Sequence, residues 1–388
     1  MAEPLQVLLV AGEASGDLHG GHLVEALRRQ RPDLQVIGIG GAQLRAAGMD
    51  VRIDVAQLSA AGLVEIVASI PRHWRVMRWL KRRMDRHRPA AVVLVDYPGF
   101  NQLVAREAHR RGIPVFFYIA PQVWAWGRGR ARRMAGFIDR LAVIFPFEEP
   151  IFNSYGRSFA RYVGHPLLDG LAVTRGRLET CRTHGLNPDQ PLLVLMPGSR
   201  RSEIQMLLPE LLRAAELLQA EGWQAVLLRA ATVDEPFLRQ AAGRSSLPLP
   251  VVAGDAYNLL AAADAGLVSS GTATLEAALL GCPPVIVYRF SWLTYWLARL
   301  VIGRRIMGLP NVILGEAVFP ELVQHDLQAE ALVRQVRRLQ VQRAELEPAL
   351  EQLRSRMGRP GASERAAQEL LQLLPPAPPL PPASPRCP

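Results

Sequence analysis

Cysteine is scarce in this chain of 388 residues. Cys181, Cys282 and Cys387 stand far apart and form no C-x-x-C pair. That pattern offers neither a zinc site nor a disulfide framework, and it fits a reducing compartment. Long uncharged apolar runs are also missing. The most apolar long stretch, Val285 to Ile302, carries Arg289 and Arg299, and no stretch meets the about 18 to 20 residues that cross a bilayer. The apolar run near the N-terminus is short, follows Glu3 and stops at Glu13, unlike a secretory signal. A cytoplasmic protein is expected. No H-E-x-x-H, carboxylate ladder or clustered histidine set suggests a metal, and no G-x-S-x-G suggests an esterase.

Positive charge is plentiful: 45 Lys and Arg against 35 Asp and Glu, a formal net charge of +10. Such a balance favours anionic partners, whether nucleic acid, phosphorylated substrates or an acidic lipid surface. With 49% hydrophobic and 21% charged residues, the composition is that of a globular protein, and the length suits two domains. Nearly continuous apolar runs, LQVLLVA, QVIGI, AAVVLVD, PVFFYIA and DRLAVIF, read as buried parallel strands. Amphipathic stretches such as His19 to Arg29 and Gln102 to Arg111 separate them, which predicts right-handed β-α-β crossovers. The pattern restarts with LLVLM, WQAVLLRA, PVVAG, AGLVS and PPVIVY. The polar segment Asp169 to Gln190 marks a boundary between two Rossmann-like α/β domains, 1–170 and 171–345. Helices follow over 346–374. The tail 375–388, with eight prolines in fourteen residues, suits neither helix nor sheet. Ligands of such sheets bind at the carboxyl ends of the strands, here in a cleft between facing domains.

Four turns carry chemistry. The first strand ends in Gly12-Glu13-Ala14-Ser15-Gly16-Asp17-Leu18-His19, where glycines and a helix N-terminus can receive an anion; Ser15 or Asp17 could equally cap the helix. Asp96, in VDYPGFN, follows an apolar strand, a costly place for a carboxylate unless it is paired, capping or catalytic. It lies too early to cap a helix starting near Phe100, for which Asn101 is the better candidate. In PGSRRSE, Ser199, Arg200 and Arg201 at a helix start suit a diphosphate; a capping box with solvated arginines is the alternative. In SSGTATLE, Ser269, Gly271 and Thr272 form a second such turn. Glu276, one turn further, could accept from two ribose hydroxyls or simply be solvated.

These segments, AGEASGDLHG, DYPGFN, PQVWAW, VGHPLLD, PGSRRSEI, SGTATLEAAL and LPNVILGE…PELVQ, occur in one order over roughly Leu5 to Gln324. In that order they resemble the lipid-A-disaccharide synthases. The resemblance implies an inverting glycosyltransferase of the GT-B fold, with two facing Rossmann-like domains and C-terminal helices. It implies transfer of 2,3-diacylglucosamine from UDP to the 6-hydroxyl of 2,3-diacylglucosamine 1-phosphate, giving a β-1,6 disaccharide and UDP. It also implies a peripheral inner-membrane enzyme, no metal or other cofactor, and a homodimer that exchanges C-terminal segments. Within it, Ser199, Arg200, Arg201, Ser269, Gly271, Thr272, Glu276 and Asn311 would hold the UDP-sugar. Ser15, Gly16, Asp17 and His19 would meet the acceptor, and Asp96 would be the base with Glu13 in reserve.

Two other classes compete. Arg72 to Arg88 carries eight basic residues and one acid, but no nucleic-acid motif accompanies it. Its apolar residues, Trp74, Met77, Leu80 and Met84, recur on one face of a helix starting at Pro71, and Arg75, Arg78, Arg82 and Arg86 on another. That suits an anionic membrane surface. A UDP-N-acetylglucosamine transferase or epimerase acting on a bare sugar is the other alternative; the apolar stretches Leu63–Ile70 and Trp292–Ile302 favour an acylated substrate.

Overall fold

The computed structural model describes residues 5–55, 63–121, 129–243, 247, 249–289 and 308–376, with backbone alone at 14, 63–70 and 130. The chain forms two compact units, Met1–Asp169 with Arg359–Pro388, and Gly170–Gly358. In the first, seven strands run β1 (Gln6–Ala11), β2 (Gln35–Gly40), β3 (Asp50–Asp54), β4 (Ala91–Val95), β5 (Val115–Tyr118), β6 (Arg140–Val143) and β7 (Ala160–Tyr162). All pair in parallel, in the order β3-β2-β1-β4-β5-β6-β7. The order reverses at β1 and β4, whose last residues Ala11 and Val95 stand level. The central strands are apolar on both faces because helices cover both; every residue of β4 is buried. Substituting one large buried side chain there, such as Leu94→Ala, should cost about 2 to 5 kcal/mol.

The second unit repeats the plan with β8 (Leu192–Met196), β9 (Gln224–Leu228), β10 (Val251–Val252), β11 (Ala265–Ser269), β12 (Pro284–Tyr288) and β13 (Glu321–Val323). Their order is β10-β9-β8-β11-β12-β13, also parallel. Here the reversal falls between β8 and β11, with Met196 opposite Val268.

The C-terminal segment is shared between the units. The helix Arg343–Met357 buries Leu346, Leu350, Leu353 and Met357 in the second. The helix Ala362–Leu371 belongs to the first and packs on the helix Ala14–Gln30. Asp169 fixes its start, its carboxylate accepting from the N–H groups of Gly361, Ala362 and Ser363 at 2.6, 3.2 and 3.2 Å.

Two local expectations are corrected. Pro71 does not begin a helix; it lies inside the helix Leu63–His87, which continues past the one backbone hydrogen bond that proline cannot donate. The apolar face of that helix is also not a free surface. Val76, Leu80 and Met84 are buried in the core, and Met77 and Trp79 pack against it. Trp74 alone of the expected set stands out, 69% exposed, with Arg75, Arg78, Arg82 and Arg86 exposed on the same helix. The stretch Trp292–Ile302 and the tail from 377 lie outside the described residues, as do the side chains of Leu63–Ile70. Among the described residues, no helix is long and apolar enough to cross a membrane.

Candidate active site

In the first unit the two turns singled out by sequence meet at the β1/β4 reversal. The Ser15 hydroxyl donates to Asp96 Oδ2 at 3.1 Å. Asp96 and Tyr97 both adopt left-handed backbone, with φ of 51° and 48°, before Pro98 opens the helix Pro98–His109. Two consecutive non-glycine residues in that region are strained, a state that persists only where the surroundings impose it. Asn101 imposes it here. It is not the helix cap: it is fully buried, and its Nδ2 donates to Asp96 O at 2.7 Å and lies 3.3 Å from Val95 O. Gly12 makes room for the result, since a Cβ there would fall 2.1 Å from Cδ1 of the Tyr97 ring. The Tyr97 hydroxyl is in turn hydrogen-bonded to His73 Nε2 at 2.7 Å.

Burial pushes the Asp96 carboxyl above its ordinary value, while the Ser15 hydroxyl and the Tyr97 backbone N–H hold it back. A half-buried carboxylate with a hydroxyl donor and, among the described residues, no basic partner can take a proton from a bound hydroxyl group. Burial raises the Tyr97 phenol, and the charge of Glu13 adds to that rise. Glu13 is exposed at the N-cap of the helix Ala14–Gln30, with extended backbone. Sequence reasoning missed Tyr97 and His73; the position of Tyr97 beside Asp96 was the available signal.

The other acceptor candidates have different neighbours. Asp17 is buried, and its carboxylate accepts from the N–H groups of Gly41, Gln43 and Leu44 at 2.5, 3.0 and 3.2 Å. It therefore caps the short helix Ala42–Ala46 rather than facing Asp96. At Gly16 a Cβ would sit 3.2 Å from Val95 O, so this glycine lets the helix approach β4. His19 faces another group. Burial lowers its pKa to about 4, with nearby His22 adding to the fall and Asp169 opposing it. His165, also buried and beside His19, is lowered to about 3. His19 is thus neutral at pH 7. Of the four, Ser15 is the one bonded to Asp96.

In the second unit the turns after β8 and β11 lie side by side at the reversal. Gly198 (φ 119°) turns the chain, and Glu203 accepts from Ser199 N–H at 3.2 Å and from Arg200 Nη1 at 2.9 Å. Glu203 thereby closes the turn that begins the helix Arg201–Gln219. Arg200 and Arg201 are exposed. The Arg201 guanidinium lies 4.8 Å over the Phe237 ring and 3.5 Å from Asp234. Beside it, buried Ser269 ends β11, and Gly271 (φ 154°) and Thr272 are exposed at the start of the helix Thr272–Leu279. A Cβ on Gly271 would meet nothing within 4 Å among the described residues. Two helix N-termini and two guanidiniums at one sheet reversal form an anion-receiving edge.

Glu276 lies one turn into the second helix. It accepts a hydrogen bond from the Tyr257 hydroxyl at 3.2 Å, and burial raises its carboxyl above the ordinary range. Asn311 departs from expectation. It is fully buried, its Nδ2 donates to Phe319 O and Glu321 Oε1 at 2.8 Å each, and its Oδ1 accepts from Phe319 N–H at 2.8 Å. Its polar atoms are committed to holding the 311–321 loop.

A family model described as lipid-A-disaccharide synthetase matches residues 7–372. A relative named lipid-A-disaccharide synthase from Syntrophus aciditrophicus (strain SB) is 43% identical over 93% of this chain and 96% of its own. One of the same name from Myxococcus xanthus (strain DK1622) is 40% identical over 96% and 98%. Among solved structures, MurG of Acinetobacter baumannii superposes with a TM-score of 0.58 at 16% identity, covering 95% of this chain and 100% of that one. The S. aureus MnaA–UDP co-structure gives 0.64 at 14% identity, covering 95% and 97%. At these identities the structural likeness speaks for the fold, two parallel-sheet α/β domains of the GT-B type. The near full-length family match and the two relatives favour this reading over the epimerase alternative: this chain belongs to the lipid-A-disaccharide synthase family of glycosyltransferases.

Proposed function

We propose that the enzyme condenses UDP-2,3-diacylglucosamine with 2,3-diacylglucosamine 1-phosphate by a single inverting displacement, with Asp96 as general base. The observation that carries this is the Asp96 geometry: a half-buried carboxylate on a strained turn at a sheet reversal, hydrogen-bonded to Ser15 and paired with no cation among the described residues. The ionised carboxylate accepts the 6-hydroxyl proton of the acceptor as that oxygen attacks C1 of the donor and the C1–O bond to UDP breaks. Ser15 keeps the carboxylate aimed. Charge gathers on the departing diphosphate, and Arg200, Arg201, the Ser199 turn and the Ser269-Gly271-Thr272 turn are its stabilisers. Glu276 takes the ribose hydroxyls. Glu13, exposed at the neighbouring turn, is the reserve base. Asp17, His19 and Asn311 shape the surroundings.

Acylated substrates are anchored in a bilayer, so the reaction belongs at a membrane surface. Exposed Trp74 with the exposed arginines of the helix Leu63–His87 supports docking on the anionic cytoplasmic face of the inner membrane. A homodimer exchanging C-terminal segments would use the face of the helix Ala14–Gln30 on which Ala362–Leu371 now packs. The test is release of UDP from UDP-2,3-diacylglucosamine by the purified protein, with and without 2,3-diacylglucosamine 1-phosphate. Release that requires the acylated acceptor supports the reading. Release of similar size with a non-acylated sugar phosphate counts against it.

A further inference from the structure

Glu276 presents an unfinished arrangement. A carboxylate offers about four acceptor positions, and among the described residues this one receives the Tyr257 hydroxyl at 3.2 Å and pairs with no cation. Both groups are half-buried. They come from adjacent helices, Ala256–Ala262 and Thr272–Leu279, which pack together beside the Ser269-Gly271-Thr272 turn. The burial of Glu276 is costly with so few donors. The hydrogen bond occupies one oxygen and fixes the rotation of the carboxyl group about its last bond. The remaining lone pairs are then aimed in one direction, as bidentate recognition of neighbouring hydroxyls requires.

We propose that Tyr257 is a positioning residue for the donor: by holding Glu276 it sets the enzyme's preference for a ribose over a 2′-deoxyribose nucleotide. The proposal rests on the reading of Glu276 as the ribose acceptor. Tyr257 touches no substrate in this scheme; it acts through the carboxylate. The tyrosine hydroxyl also lowers the pKa of that carboxyl, opposing the effect of burial. Removing it therefore raises the Glu276 pKa further, and the loss of UDP binding on acidification moves to higher pH.

The experiment measures binding of UDP and 2′-deoxy-UDP to the full-length protein, its Tyr257→Phe variant and its Glu276→Gln variant. Phenylalanine keeps the ring and its packing. In the parent, 2′-deoxy-UDP should bind about tenfold or more weakly than UDP, the scale of one hydrogen bond to a charged group. In Tyr257→Phe that ratio should fall to about threefold or less, with most of the change in UDP affinity. A ratio unchanged in Tyr257→Phe but lowered in Glu276→Gln overturns the positioning role and leaves the donor site in place. A ratio unchanged in Glu276→Gln overturns the ribose reading and the proposal together. Equal weakening of both nucleotides in Tyr257→Phe, as lost packing would produce, also overturns it. The pH dependence is the second readout: an acid limb that stays in place in Tyr257→Phe counts against the hydrogen bond's role.

Discussion

Replacing Asp96 by asparagine separates catalysis from folding unusually well. Asparagine is isosteric and tolerates left-handed backbone, so the φ of 51° adds no strain that alanine would bring. The sign of the stability effect follows from the pKa. Burial raises the folded-state value of the carboxyl above its ordinary one. Protonated Asp96 is therefore compatible with the fold at low pH, and stability is lost as pH rises through the folded-state pKa. At pH 7 the ionised group costs stability, and Asp96→Asn should match or exceed the parent in thermal unfolding. Turnover should nonetheless drop by about two to four orders of magnitude, the usual scale of general-base loss. UDP affinity should stay within about twofold, because the groups assigned to UDP lie in the other unit. Stopped assays of UDP release, beside isothermal titration with UDP, read both quantities. Turnover within about tenfold of the parent would refute the base assignment and direct attention to Glu13. A large fall in unfolding temperature would mean that Asp96 is a structural residue.

Three further outcomes follow from the same geometry. The double variant Arg200→Ala/Arg201→Ala should bind UDP about ten- to a hundredfold more weakly; unchanged affinity by titration would place the diphosphate elsewhere. Asp17→Ala removes the acceptor of three backbone N–H groups and should lower stability by about 2 kcal/mol in denaturant unfolding; parental stability with a raised acceptor KM would restore its substrate-binding role. Reversing Arg75, Arg78, Arg82 and Arg86 to Glu should abolish co-sedimentation with anionic vesicles at low salt while leaving UDP binding intact; equal pelleting would exclude this helix as the membrane face.

The central strands were legible because they are buried on both faces and read as apolar runs. β3, β7 and β13 were not. DVRID alternates charge with apolar residues, a half-buried pattern unlike the apolar runs of the central strands, while ARY and ELV are three-residue edges too short to show a period. The turns were legible from glycine, hydroxyl and charge clustered at strand ends. What individual polar residues do within them was not, because hydrogen-bond partners come from distant sequence. Asp17 looked like a ligand group until Gly41, Gln43 and Leu44 were seen to surround it. Asn101 looked like a cap until the ends of the strands proved to be its partners. Tyr257 carries no motif at all, and only the packing of two helices sets it against Glu276. The basic helix shows the same limit from the other side: its periodicity was plain, but which apolar residues would meet the core and which solvent depended on the sheet beneath.

The account's central claim is a single displacement assisted by a carboxylate base, and the anomeric configuration of the product tests it most directly. The purified protein is incubated with UDP-2,3-diacyl-α-glucosamine and 2,3-diacylglucosamine 1-phosphate, and the new linkage is read by proton and carbon nuclear magnetic resonance. The account predicts a β-1,6 disaccharide 1-phosphate formed in step with UDP. An α-linked disaccharide, or UDP released without any disaccharide, would contradict it.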